Sequence, residues 1–95
     1  MSLQFEWDPK KARANLKKHD VSFEEAISVF ADPLARIFND EGHPGEERRE
    51  IIIGHTVHED LILVSFTASH DRVRILSARR VTRRERKDYE ENVGS

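Results

Sequence analysis

The sequence predicts an α+β fold: a small antiparallel β-sheet with two N-terminal helices and one C-terminal helix, in the order β-α-α-β-β-β-β-α. Three observations carry that expectation. Capping signatures open three helical stretches, at Asp8-Pro9, at Ser22-Phe23-Glu24-Glu25 and at Thr82-Arg83-Arg84-Glu85. Between Leu34 and Val81 the texture is that of strands, four apolar or alternating runs separated by turn-like segments. The links between those runs are short, which implies an antiparallel meander. With 95 residues, the chain makes one domain, residues 1–95, burying roughly 65% of its unfolded surface around a single core.

Along the chain, Leu3, Phe5 and Trp7 alternate with Gln4 and Glu6 as in a short strand. Asp8 is placed as N-cap and Pro9 as first residue of a helix whose apolar positions are Ala12 and Leu16. Lys10, Arg13 and Lys17 fall on its solvated face, while Lys11, Asn15 and Lys18 form a separate polar stripe beside His19. The Ser22 capping box opens a second helix with Phe23, Ala26, Ile27 and Phe30 as its buried stripe, and Asp32-Pro33 stops it. Strands follow over Ala35 to Phe38, Arg48 to His55, Leu61 to Thr67 and Val73 to Val81. Ile51-Ile52-Ile53 and Leu61-Ile62-Leu63-Val64 are apolar on both faces, which makes those strands central. The Thr82 box then starts a helix that runs to about Asn92.

Composition excludes several classes. There is no cysteine, so disulfides, thiolate catalysis and Cys-based zinc sites are out. No apolar run approaches the ~20 residues of a membrane span, and the N-terminus lacks signal-peptide character, so the chain reads as cytoplasmic. A formal net charge of −2 argues against non-specific coating of nucleic acid. There is no Gly-rich phosphate loop, G-x-S-x-G elbow or carboxylate pair. Ser65 and Ser77 lie in predicted strands without triad partners.

Against that acidic background, Arg72 to Lys87 carries eight Lys/Arg and one Glu. A cationic block inside folded elements suits a polyanion-handling surface; the competing reading is a solvated charged face. Unbroken alternation puts Val73, Ile75, Ser77, Arg79 and Val81 on one face and Arg72, Arg74, Leu76, Ala78 and Arg80 on the other. Arg79, Arg80, Arg83 and Arg84 then flank a helix N-terminus, a natural phosphate position. Some of these arginines are expected to pair with the acidic Glu46-Glu47-Glu50 cluster. His55-x-x-His58 has ligand spacing but sits where a strand meets a turn, and no metal or other cofactor is assigned. His19 and His55 adjoin core elements and are the acid/base candidates, whereas His43 and His70 are loop residues. Tyr89 reads equally as a base-stacking ring or a core contact, and Trp7 as core.

The opening Phe5-Glu6-Trp7-Asp8-Pro9-Lys10-Lys11, then Asn15, Lys18-His19 and Val21-Ser22-Phe23-Glu24-Glu25-Ala26, resembles the BrnT toxin family. Arg74-Ile75-Leu76-Ser77-Ala78-Arg79-Arg80 and Thr82-x-x-Glu85-Arg86-x-x-Tyr89-Glu90 match that family's closing signature. The resemblance implies a RelE-like fold and the toxin half of a type II toxin–antitoxin pair. It implies a metal-independent endoribonuclease of the mRNA interferase type, in which a ribose 2′-OH attacks the adjacent phosphate of an RNA substrate. The implied partner is a BrnA-like antitoxin that neutralises the toxin directly and alone supplies contact with operator DNA. By side-chain chemistry rather than by a family motif, Arg79 and Arg80 are the candidates for phosphate and transition-state stabilisation, assisted by Arg48 or Arg83. His19 or His55 is the proton-transfer candidate and Tyr89 a positioning group. Arg72, Arg74, Arg84, Lys11 and Lys18 complete an RNA-binding surface. The same cations would also serve a non-catalytic nucleic-acid-binding or protein-interaction module.

Overall fold

The computed structural model describes residues 3–39 and 49–93. The expected turn at Asp40 to Gly45, together with His43, Glu46, Glu47 and Arg48, lies outside the described residues. Strand β1 (Gln4–Glu6) leads into α1 (Pro9–His19), α2 (Phe23–Ile27) and a 3-10 turn (Ser28–Ala31). Strands β2 (Arg36–Asn39), β3 (Glu50–His55), β4 (Leu61–Ser69) and β5 (Arg72–Arg80) follow, then α3 (Arg83–Val93). The α+β order read from the sequence is the order of the structure.

Local chemistry starts each helix where expected. The Asp8 carboxylate accepts from Lys10 N–H at 2.9 Å, and Ser22 Oγ accepts from Glu25 N–H at 2.9 Å. At α3 the capping box is reciprocal: Thr82 Oγ1 accepts from Glu85 N–H at 3.1 Å while Glu85 accepts from Thr82 N–H at 2.8 Å. Helix α1 ends at Asp20 in the left-handed region, φ 58°.

The strands form one sheet in the order β1-β5-β4-β3-β2. The β2 to β5 meander is antiparallel, but β1 adds in parallel at the edge of β5, with Phe5 opposite Val73. The sheet is therefore mixed. The chain crosses over through α1 and α2 before the meander begins, and that long return is what a parallel neighbour requires.

Both faces of β3 and β4 are covered, which is why those strands are apolar throughout. Facing α1 and α2 is the larger core, including Val21, Phe23, Ala26, Val29, Ile62, Val64, Phe66 and Ile75. Phe30 packs on Phe5 and Phe66 at 5.1 Å each, and Trp7 meets Phe23 edge-on at 5.9 Å. Trp7 is thus a core residue. The 3-10 turn tightens the expected α2 stripe, so that Val29 is fully buried while Ile27 and Phe30 are half-buried. Under α3 lies a smaller core of Ile53, Leu61, Leu63 and Tyr89. At Gly54 the chain packs closely on its neighbours: a Cβ there would lie 2.9 Å from both Ala35 Cβ and Val29 Cγ1.

Two features depart from simple periodicity. Leu16, expected to be apolar and inward, is 47% exposed, whereas Asn15 is buried against β5. In β5, Phe66 pairs with Ile75 and Ser65 with Ser77, leaving Leu76 as an extra residue in a β-bulge. Beyond it the faces exchange. Val73, Ile75 and Ala78 face α1 and α2, so Arg79 joins Arg72 and Arg74 on the α3 side, while Arg80 turns to the α1 side. The unbroken alternation read from the sequence is corrected at this point.

Candidate nucleic-acid interface

The four arginines of β5 each meet a carboxylate of the protein itself. Arg72 and Arg74 both reach Glu6, at 3.3 and 2.8 Å. Arg79 forms a two-pronged fork with Glu85, each bond 2.9 Å. Arg80 donates to the His19 carbonyl at 3.3 Å and lies 3.7 Å from the Asp60 carboxylate. The acids are therefore Glu6, Glu85 and Asp60, not the cluster expected from sequence; Glu46 and Glu47 lie outside the described residues, and Glu50 takes none of these arginines. The Arg79 hydrogen bonds hold the Glu85 carboxyl at about 2, well below its ordinary 4.5. The same bonds raise the Arg79 pKa.

Helix α1 is the opposite case. It carries Lys10, Lys11, Arg13, Lys17 and Lys18 and no acidic residue. None of these side chains has an ion-pair partner among the described residues. Positions 11, 15 and 18 share one face of the helix, and that face borders a shallow groove of about 230 Å³ against the β5 bulge. Lys11, Lys18 and His19 line it from the helix, Leu76 and Ser77 from the strand, with Asn15 at its base. Arg80 reaches the end of the same helix through its bond to the His19 carbonyl. The structure thus brings together Lys11, Lys18, His19 and Arg80.

It separates the other candidates from that group. Arg79 is on the far face of the sheet. Arg83 and Arg84 are exposed at the start of α3. His55 ends β3, where the Asp32 carboxylate accepts from its backbone N–H at 2.7 Å and lies 3.2 Å from its Nδ1. Burial would raise the Asp32 pKa, but these bonds and that from Leu34 N–H outweigh it and hold it low. Tyr89 is only 4% exposed. It packs edge-on to His55 at 5.9 Å and donates its hydroxyl to the Leu34 carbonyl at 3.1 Å, so its ring is a core contact with no face for a base. Its pKa is raised by burial and by the nearby Asp32 charge, against the pull of Arg36. Among the described residues no group of three or more His, Asp or Glu side chains is placed to hold a metal ion, and no helix is long and apolar enough to cross a membrane. Sequence reading missed Glu6, Asp60 and Asp32 as partners. Their contacts span up to 68 residues, and only the Asp32-Pro33 helix stop gave one of them any local signal.

A sheet between two helical layers, flanked by a helix whose five cations have no ion-pair partner among the described residues, defines a small α+β protein suited to binding a polyanion. The particular family follows from the sequence: the model for the ribonuclease toxin BrnT of type II toxin–antitoxin systems matches residues 7–85, and the chain belongs to that family. The family's activity carries with it an RNA substrate and an antitoxin partner. No curated relative matches the chain's sequence. Among solved structures, the 1.1 Å crystal structure of the Brucella abortus ribonuclease toxin BrnT matches with a TM-score of 0.65 and 21% identity. The match covers 86% of this chain and 100% of that one. That likeness establishes the α+β fold.

Proposed function

We propose that this chain is an endoribonuclease of the mRNA interferase type that cleaves RNA without a metal ion at the α1–β5 groove. The observation that supports the site is the convergence of Lys11, Lys18 and His19 in one groove with Arg80 tied to its end. In this scheme the neutral His19 imidazole takes the 2′-OH proton as that oxygen attacks the adjacent phosphorus. The P–O5′ bond breaks, leaving a 2′,3′-cyclic phosphate and a 5′-oxygen that takes up a proton. Arg80 and the two lysines offset the charge that grows on the non-bridging oxygens. Translation in the cytoplasm is then inhibited until a BrnA-like antitoxin binds, and operator DNA is met only through the toxin–antitoxin complex.

A second reading has its own observation. The Glu85 fork fixes a half-exposed Arg79 guanidinium on the α3 side of the sheet, where Arg72 and Arg74 also point. A phosphate there would have to share those arginines with Glu85 and Glu6. The α1 cations carry no such competition, and the groove is the preferred site.

The test is RNA cleavage by the purified chain with and without EDTA. Activity is expected to survive EDTA and to fall about 10²-fold or more in His19→Ala and in Arg80→Ala. Activity lost in EDTA and restored by a divalent ion would overturn the metal-free scheme. Full activity in both folded variants would move the site to Arg79. RNA binding without cleavage would support a non-catalytic module.

A further inference from the structure

On the α3 side, away from α1, a cavity of about 380 Å³ opens between β2 and α3. That is within the range of about 300–1,000 Å³ typical of ligand pockets. Phe38, Ile53 and Tyr89 give it an apolar lining, and Glu85, Asp88 and Glu91 line it with carboxylates. Glu85 is committed to Arg79 and to the Thr82 amide. The Asp88 and Glu91 side chains have no ion-pair partner among the described residues. Beside the cavity, β2 is the last strand of the sheet and is exposed throughout. Ile37 and Phe38, on its two faces, are 56% and 43% exposed. An edge strand that shows apolar side chains on both faces is a surface that another polypeptide covers.

The charge of the mouth selects the occupant. Two uncommitted carboxylates beside an apolar floor repel phosphate, so RNA is disfavoured here. Residues 40–48 of this chain contain four acids and one arginine, chemistry the same carboxylates repel. We infer that this groove docks a segment of the antitoxin that presents apolar side chains flanked by Lys or Arg. The identity of the partner rests on the toxin reading given above. An acidic antitoxin surface laid over β5 is less well served, because Arg72, Arg74, Arg79 and Arg80 already face carboxylates of their own chain.

The experiment uses the full chain and the product of the open reading frame that adjoins its gene. Binding is measured for the wild type, for the double variant Asp88→Lys/Glu91→Lys and for Phe38→Ala, with circular dichroism as the check on folding. Each variant is expected to raise Kd by about tenfold or more. The charge reversals should act mainly by slowing association at low salt, and Phe38→Ala mainly by speeding dissociation. RNA cleavage by the free variants is expected to match wild type. Unchanged affinity in both variants, with wild-type cleavage intact, would overturn the docking site. A wild-type dimer in sedimentation that the double variant dissolves would also overturn it, in favour of a second copy. Weakened binding alongside a wild type that cleaves no RNA would sustain the docking site and sink the toxin reading alone.

Discussion

Asn15 joins the helical layer to the sheet. Its Nδ2 donates to the Ala78 carbonyl at 2.8 Å and to the Val21 carbonyl at 2.9 Å, while its Oδ1 accepts from Ala78 N–H at 3.1 Å. The side-chain amide therefore pairs with β5 as a neighbouring strand would, beyond the point where β1 stops. Asn15→Ala should cost about 2–4 kcal/mol, since it leaves buried donors and acceptors unpaired. Asn15→Asp should not rescue it, because a carboxylate offers no donor to two carbonyls. Urea unfolding of the two variants checks this, and wild-type stability in either would contradict it. This contact also shows where sequence reading stops. The caps at Asp8, Ser22 and Thr82 act within three residues and were legible. Asn15 sat in a polar stripe by periodicity, because its partner Ala78 lies 63 residues away. The bulge at Leu76 was equally silent, as no glycine or proline marks it.

At the scale of an element, α3 is the least expected piece of the architecture. Its capping box made the helix legible, but Tyr89 is its one buried residue among the described side chains, beside a half-buried Glu85, so packing could not be read from apolar spacing. Beside the packing of Tyr89 in the smaller core, it is held by the Arg79–Glu85 fork, the Tyr89 hydroxyl on Leu34 and the Arg36 guanidinium, which donates to the Asn92 carbonyl at 3.5 Å. The first has a pH signature. Because the folded Glu85 pKa of about 2 lies below its ordinary 4.5, its contribution is fully present above pH 4.5. That contribution is lost as pH falls from there towards 2. Glu85→Gln should accordingly be less stable than wild type at pH 7, and the gap should narrow through that window. Urea midpoints between pH 7 and 2 measure it. A gap that stays constant or widens on acidification would show that the fork does not anchor α3. Candidate site residues divide the same way: Lys11, Lys18 and His19 lie on one helix and were legible together, whereas the exchange of faces by Arg79 and Arg80 depended on the bulge.

For the whole molecule the question is how a chain of net charge −2 engages RNA at all. Five cations on α1 share the helix with no acidic residue and have no ion-pair partners among the described residues, while the carboxylates of Asp88 and Glu91 open on the α3 side. Local field, rather than net charge, then governs encounter with a polyanion. For single-stranded RNA, each phosphate neutralised contributes about −0.7 to the slope of log affinity against log salt. Binding of 2′-O-methyl RNA, which lacks the attacking hydroxyl, isolates that term from cleavage. Lys11→Ala and Lys18→Ala should each make the slope shallower by about 0.7. Arg72→Ala and Arg74→Ala should leave it nearly unchanged, since both lie on the other face of the sheet from the groove, against Glu6. Glu6→Gln provides the sharper control. If RNA lies in the α1–β5 groove, freeing those two arginines on the other face of the sheet leaves the slope as it was. If RNA instead crosses the α3 side at Arg79, the same change steepens it, and the lysine variants lose their effect.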